Sequence, residues 1–443
     1  MKLSPPLLAA AAAALLAAAP SASAADYVPG EVLVAHDATA SSAGSSAAHV
    51  VPTRPGETVR AAAARLRRES GVRYAVPNYI AHASGFVPND PGIGSAPTQW
   101  QDIQWNFSGP FGVDAPDAWQ QAIAAGAPGA RGVVVAVLDT GVAYENYRGF
   151  KRDPDLYSSR FTKPYDFVDR DRHPNDENGH GTHVTGTIAQ KTNNDLGLTG
   201  LAYGVTIMPL RVLDAHGEGD AGAIARAIRY AARNKADVIN MSLEFDSSIT
   251  ASQIPDIVSA IRYAHSKGVV VVGAAGNAAE SAVAYPARTN YVISVGGTTE
   301  RGCEADYSNS GSGLDVVAPG GGDDAPLDDN PADVQNCRPD LRGRDIFQVT
   351  FLGDRRTFGI PGGYEGTSMA CPHVSAIAAL IIATGVIGKH PKPQAVEARI
   401  KATARDLGPT GPDRRYGAGL VNAYQAINPA FPSIPAPAPP PPA

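Results

Sequence analysis

Hydrophobic and polar positions change their spacing several times along the chain. "EVLVA" reads as a strand, "ETVRAAAARLRRE" repeats apolar positions at helical spacing, and "VRYAV" returns to a strand. These three predict a small α+β unit over residues 25–84. The Pro, Gly, Asn and Ser density of "PNYIAHASGFVPNDPGIGSAPTQ" marks an exposed connector, which places a boundary near Ser84. From "DAPDAWQQAI" onward the pattern alternates. "VVVAVL" is a strand, "GTHVTGTIAQ" a helix, "VTIMPLRVL" a strand, "AIARAIRYAARN" a helix, "DVINMS" a strand, "IPDIVSAIRYAHSKG" a helix and "VVVVGAAG" a strand. Continuous apolar strands between helices predict an α/β domain over residues 85–428, its sheet mostly parallel and covered by helices on both faces. In such sheets, sites collect at the carboxyl ends of strands. The last stretch, "NPAFPSIPAPAPPPPA", predicts an extended polyproline-type tail over 429–443. A spacer, a cell-wall tether and a plain disordered terminus all fit it.

Composition narrows the classes. With 44% hydrophobic and 18% charged residues, the chain can build a large core and is not a disordered protein. A net charge of -6 without a long Lys/Arg run gives no footprint for nucleic acid or an anionic membrane. The opening "MKLSPPLLAAAAAALLAAAPSASA" has one Lys, a short apolar run and a small-residue pattern ending at Ala24, so residues 1–24 read as a secretory signal. After its removal no membrane span is expected. Three cysteines do not make a disulfide scaffold, although Cys303 and Cys337 could pair after export. Cys371 is then left over and reads as a small buried residue.

Candidate chemistry sits in three places. "VVVAVLDTGV" runs a strand into Asp139, where a carboxylate can orient an imidazole or merely form a turn. "NGHGTHV" has His180 before a helix and His183 inside its start. Their spacing lacks the His-Glu-x-x-His pattern of zinc peptidases, so His180 reads as a base and His183 as packing. "EGTSMACPHV" places Ser368 at the mouth of an apolar helix, where it is a nucleophile or only a cap.

Taken together, "VLDTGV", "NGHGTHVTG" and "GTSMACPHV" resemble, in that order, the active-site motifs of the subtilisin-like serine proteases; subtilisin is also a standard illustration of this chain order. "INMSL", "VGAAGN", "YSNSG", "LDVVAPG" and "GAGLVNA" extend the resemblance from about residue 100 to about 428. It implies a secreted endopeptidase acting as a monomer on polypeptides, with Ser368 as nucleophile, His180 as base and Asp139 as its orienting acid. The oxyanion donors would be the Asn277 side chain and the Ser368 backbone N–H. Rival readings are a catalytically silent binding or adhesion module, against which the intact residues argue, and an esterase, against which Gly-Thr-Ser-Met-Ala argues.

The resemblance also implies a substrate bound as an added β-strand between "MSLEF" and the region of "DAHGEGD", including Gly217. The specificity pocket would be walled by Ser242, Leu243, Ala274, Ala275 and Gly276, with Ala284 near its floor. A methyl there favours small to medium apolar side chains, against the alternative of a spacious neutral pocket. Glu244 and Phe245 depart from the glycines usual at those positions, which would narrow the cleft or favour a basic side chain nearby. No cofactor is implied for catalysis, but "KTNNDLGLTG" resembles a structural calcium loop. Its ligands would be Asn194, the carbonyls of Thr192, Leu196 and Leu198, and Asp155, with an N-terminal ligand left unplaced. Asp323, Asp324, Asp328 and Asp329 lie in a longer-than-usual segment and, without regular spacing, read as a solvated loop rather than a second metal site. Residues 25–84 would be a propeptide that inhibits its own enzyme, cut after Ser84 with Ala81 and Ser84 filling pockets, against the alternatives of a permanent domain or a cut elsewhere in the connector before Trp100.

Overall fold

The computed structural model describes residues 27–36, 48–54, 57–79, 86–326 and 337–431. The expected signal, the bond after Ser84, Ala81, Asp328, Asp329 and residues 432–443 lie outside the described residues. Two compact units divide between Ser84 and Gly85.

In the smaller unit, β1 (Tyr27–His36) pairs antiparallel with β2 (His49–Pro52) on one side and β3 (Val72–Tyr79) on the other. The helix α1 (Val59–Leu66) starts where the Thr58 side chain accepts from Ala61 N–H at 3.3 Å, a standard N-cap. Its Val59, Ala62, Ala63 and Leu66 form one apolar stripe against Val32, Val34 and Ala75. Strand β2 is an addition to the sequence reading. It is short and largely exposed, so it carries little apolar pattern.

The larger unit begins with the single turn α2 (Trp105–Ser108) and α3 (Ala115–Ala124), followed by β4 (Val134–Asp139). Two short edge strands, β5 (Arg160–Phe161) and β6 (Tyr165–Asp166), precede α4 (His180–Ala189) and β7 (Thr206–Arg211). Alternation then continues through α5 (Ala221–Arg233), β8 (Val238–Met241), α6 (Pro255–Ser266), β9 (Val270–Ala274), β10 (Val292–Thr298) and β11 (Val316–Pro319). A hairpin of β12 (Thr350–Leu352) and β13 (Asp354–Gly359) leads to α7 (Thr367–Thr384), α8 (Pro393–Ala402) and α9 (Ala423–Ile427).

The sheet order is β11-β10-β9-β8-β4-β7-β5, with β6 also on β7, and every pairing in it is parallel. Successive residues of a strand face opposite sides, and β4 shows the result. Val135 and Val137 enter one core with α4 and α7, whereas Ala136 and Leu138 enter a second with α5 and α6. Each fully buried aliphatic side chain of this size contributes about 1.5–3 kcal/mol. By length and composition α7 could cross a membrane, but here it is a core helix, buried over most of its surface. Strands β8 and β9 are adjacent, with Met241 paired to Gly273, so the segments leaving them emerge side by side.

Two expectations change. His180 is the first residue of α4 rather than a residue before it, because Gly179, at φ 105°, makes the turn that a side chain would resist. The acidic segment is not simply solvated, since Asp324 is buried and accepts from the Thr299 hydroxyl and the Arg338 N–H. It lies beside Cys303 and Cys337, whose sulfurs are joined in a disulfide and therefore do not ligate a metal.

Candidate active site

Asp139 ends β4 and is buried. Its Oδ1 accepts from Thr140 N–H at 2.7 Å and meets His180 Nδ1 at 2.7 Å. The loop before α4 is held by Asp176, which accepts from the N–H groups of Asn178, Gly179 and Thr182 and from the hydroxyls of Thr140 and Thr182. From the other side, the Thr350 hydroxyl on β12 donates to the Gly179 carbonyl at 2.7 Å. His180 is thus fixed at both its backbone and its Nδ1. Desolvation pulls its pKa down, but the Asp139 charge and hydrogen bond outweigh this and leave it raised.

His183, three residues on, has a different environment. Its ring stacks on Tyr364 with centroids 4.1 Å apart, and Nε2 donates to the Ile346 carbonyl at 3.0 Å. Burial lowers its pKa to about 3. This is a packed, neutral core histidine.

Ser368 is the second residue of α7. Pro372, four residues later, has no N–H to give the Ser368 carbonyl. The Ser242 hydroxyl supplies that bond at 2.9 Å, while the Ser368 hydroxyl donates to the Ser242 carbonyl at 3.3 Å. His180 and Ser368 line one cleft of about 650 Å³ with Gly217, Ser242, Leu243 and Glu244. No hydrogen bond joins Ser368 to His180, a looseness common in unliganded enzymes. Cys371 is buried one turn on, and burial pushes its thiol up to about 12, which leaves it inert at neutral pH.

Asn277 follows β9. Its Oδ1 accepts from the Thr367 N–H at 2.7 Å and the Thr367 hydroxyl at 3.0 Å, which fixes Nδ2 as the outward donor. Glu244 accepts from that Nδ2 at 3.2 Å and from Asn277 N–H at 3.0 Å. Gly276 lies under the carboxylate, where a Cβ would strike Glu244 Oε2 and press on Ala284. Ala274 and Ala275, expected in the pocket wall, have their side chains packed in cores and would face a pocket with backbone alone.

In the predicted calcium loop, Asp155 accepts from Asn194 Nδ2 at 2.8 Å and Leu198 N–H at 2.9 Å. Leu196 N–H donates to Asn194 Oδ1 at 3.3 Å, and Thr192 is buried alongside. Asp90, missed in the sequence, is buried and accepts from Asn193 and Asn194 N–H at 2.8 and 3.0 Å. Among the described residues no Lys or Arg pairs with Asp90 or Asp155. Burial, with the Asp153 and Asp90 charges, raises Asp155 to about 8, and burial raises Asp153 to about 7. Arg152 lies near Asp153, but Asp90 and Asp155 offer buried carboxylate oxygens of the kind a hard ion takes.

The cleft also gathers residues that sequence reasoning did not assign: Leu213, His216, Glu218 and Ile224. His216 and Glu218 lie in the quoted "DAHGEGD", but Leu213 and Ile224 carry no local signal.

An acid, an imidazole and a serine gathered at the carboxyl-end side of a parallel sheet are the residue types that a serine hydrolase uses. The subtilase family model matches residues 130–419. A thermophilic serine proteinase from Bacillus sp. strain AK1 is 36% identical over 369 residues, 83% of this chain and 76% of its own. Thermitase from Thermoactinomyces vulgaris is 33% identical over 342 residues, covering 77% of this chain and 99% of its own. The solved structure of a protease from Pseudoalteromonas arctica superimposes with a TM-score of 0.60 at 31% identity, over 77% of this chain and 99% of that one. The chain belongs to the subtilase family and is a serine endopeptidase.

Proposed function

We propose that the protein is an exported endopeptidase, made as a precursor that cuts itself, in which Ser368 attacks the peptide carbonyl. His180 takes the Ser368 proton and returns it to the leaving amine, while Asp139 holds the imidazole and stabilises its charged form. Asn277 Nδ2 and the Ser368 N–H donate to the oxyanion. The observation that carries this reading is the 2.7 Å contact between His180 Nδ1 and the buried Asp139, in the cleft that holds Ser368. Residues 25–84 act as the intramolecular inhibitor, at an effective concentration of roughly millimolar for a short connector. Asp90, Asp155 and Asn194, with the carbonyls of Thr192, Leu196 and Leu198, would hold a Ca²⁺ that neutralises the buried acids and ties their loops together.

The test is expression of the wild type and Ser368→Ala without other proteases. Wild type should clear casein and begin at Gly85, whereas Ser368→Ala should stay uncut and lose activity by several orders of magnitude. Maturation of Ser368→Ala under those conditions would defeat self-cutting, and casein clearing by it would defeat the nucleophile.

A further inference from the structure

Glu244 stands where it interferes with two steps at once. It leaves the segment after β8, reaches across to the segment after β9, and accepts hydrogen bonds from both the backbone N–H and the side-chain Nδ2 of Asn277. The carboxylate therefore spans the slot between Ser242–Leu243 and Gly276, above the Cα of Gly276. Phe245 N–H is bonded to the Tyr285 carbonyl at 2.8 Å, which anchors the chain just beyond. Among the described residues no Lys, Arg or His pairs with Glu244, and Glu280 is near enough to repel it.

This arrangement rests on the serine endopeptidase reading, which fixes where a substrate lies. The carbonyl attacked by Ser368 must turn its oxygen toward Asn277 Nδ2. The side chain of that same residue branches from the neighbouring carbon, so it must enter the slot that Glu244 spans. An apolar side chain there would strip water from an unpaired carboxylate, a loss its own burial has to offset. A lysine or arginine side chain brings the missing cation.

We propose that Glu244 is the residue that sets specificity in this enzyme, selecting substrates with Lys or Arg on the acyl side of the cut bond. The incoming cation also draws the carboxylate away from Asn277 Nδ2, so the oxyanion donor is released by the side chain being selected. A basic residue thereby improves the chemical step as well as binding. The preference for small to medium apolar side chains, expected from Ala284 alone, gives way because the carboxylate is met before the pocket floor.

The experiment compares matched fluorogenic peptides that differ only at this position, carrying Lys, Arg, Leu or Ala, with mature wild type, Glu244→Gln, Glu244→Gly and Ser368→Ala. Wild type should favour Lys and Arg over Leu in kcat/KM by roughly tenfold or more, the range of one charge-assisted bond. Glu244→Gln should erase that ratio. Glu244→Gly should raise kcat for Leu, since Asn277 is then free, and a mere loss of folded enzyme would lower kcat for every peptide alike. Equal use of all four peptides by wild type, or a ratio unchanged in Glu244→Gln, overturns the specificity assignment while leaving the peptidase reading intact. Hydrolysis that persists in Ser368→Ala, or its absence for the whole series in wild type, overturns both.

Discussion

The Ser242 hydroxyl donates to the Ser368 carbonyl, and the Ser368 hydroxyl donates back to the Ser242 carbonyl. The first bond replaces the helical one that Pro372 removes. The backbone of Ser368 is thus anchored to the segment that leaves β8.

Ser242→Ala should therefore cost about 1–3 kcal/mol, the range for stranding a buried polar group. It should also lower kcat more than it raises KM, because the Ser368 backbone loses its tether. Urea denaturation and steady-state kinetics would check this. A variant as stable and active as wild type would show that the carbonyl finds its partner elsewhere.

Much of this geometry could be read from the sequence, and the reason differs by residue. Asp139 and Ser368 are legible because their motifs together resemble those of the subtilisin-like serine proteases, whereas an apolar strand ending in Asp139 and an apolar helix opening at Ser368 fit a turn and a cap as well. The bond between Ser242 and Ser368 is not legible, since 126 positions separate the partners and no local pattern marks them as a pair. Asp90 was missed for a similar reason. It lies in a Pro/Gly-rich connector that reads as solvent-exposed, and only the packing of the Asn193–Asn194 turn against it shows its burial. The β12–β13 hairpin carries a weaker signal, since only Phe351 and Phe358, with ring centroids 5.3 Å apart, frame its Gly-Asp turn.

His183 should make the enzyme acid-sensitive. Its pKa falls from 6.5 to about 3 on folding, so the unfolded chain binds the extra proton between these values. The stability it contributes is complete above the unfolded pKa and is lost as pH falls toward the folded one. His183→Gln can keep a donor toward Ile346, and its urea midpoint should fall less than that of wild type between pH 7 and about pH 4.5. Parallel losses in the two proteins would contradict the assignment.

Calcium should matter more as pH rises. Asp155 and Asp153 have folded pKa values above the ordinary carboxylate value of 3.8, at about 8 and about 7, so the calcium-free native state holds protons that the unfolded chain has released. Stability without calcium falls as pH climbs through that window. Bound calcium should add about 2.7 kcal/mol when its free concentration is a hundredfold above Kd. Scanning calorimetry with and without calcium should give a Tm gain that grows with pH and shrinks in Asp90→Asn and Asp155→Asn. A Tm indifferent to calcium at every pH would remove the ion from this loop.

The disulfide between Cys303 and Cys337 closes a separation of 34 residues, for which chain entropy gives about 3–4 kcal/mol. Paired Cys303→Ser and Cys337→Ser substitutions should lower the denaturation midpoint accordingly. They should leave the activity of the folded enzyme close to wild type, since neither sulfur lines the cleft. An unchanged midpoint would mean that the contacts around Asp324 hold this region without the covalent link.

Among the described residues, every strand pair in the eight-stranded sheet is parallel, so neighbours in it are not joined by short hairpins. Asp139 and His180 are 41 positions apart, and β8 must receive β4 from more than ninety residues upstream. Each pairing has to close a long loop before its contacts repay the lost entropy, which makes folding of this topology slow and exposes apolar strands in the meantime. The yield of folded protein should therefore depend on how long unfinished chains, their apolar strands exposed, coexist with finished molecules that hydrolyse polypeptides.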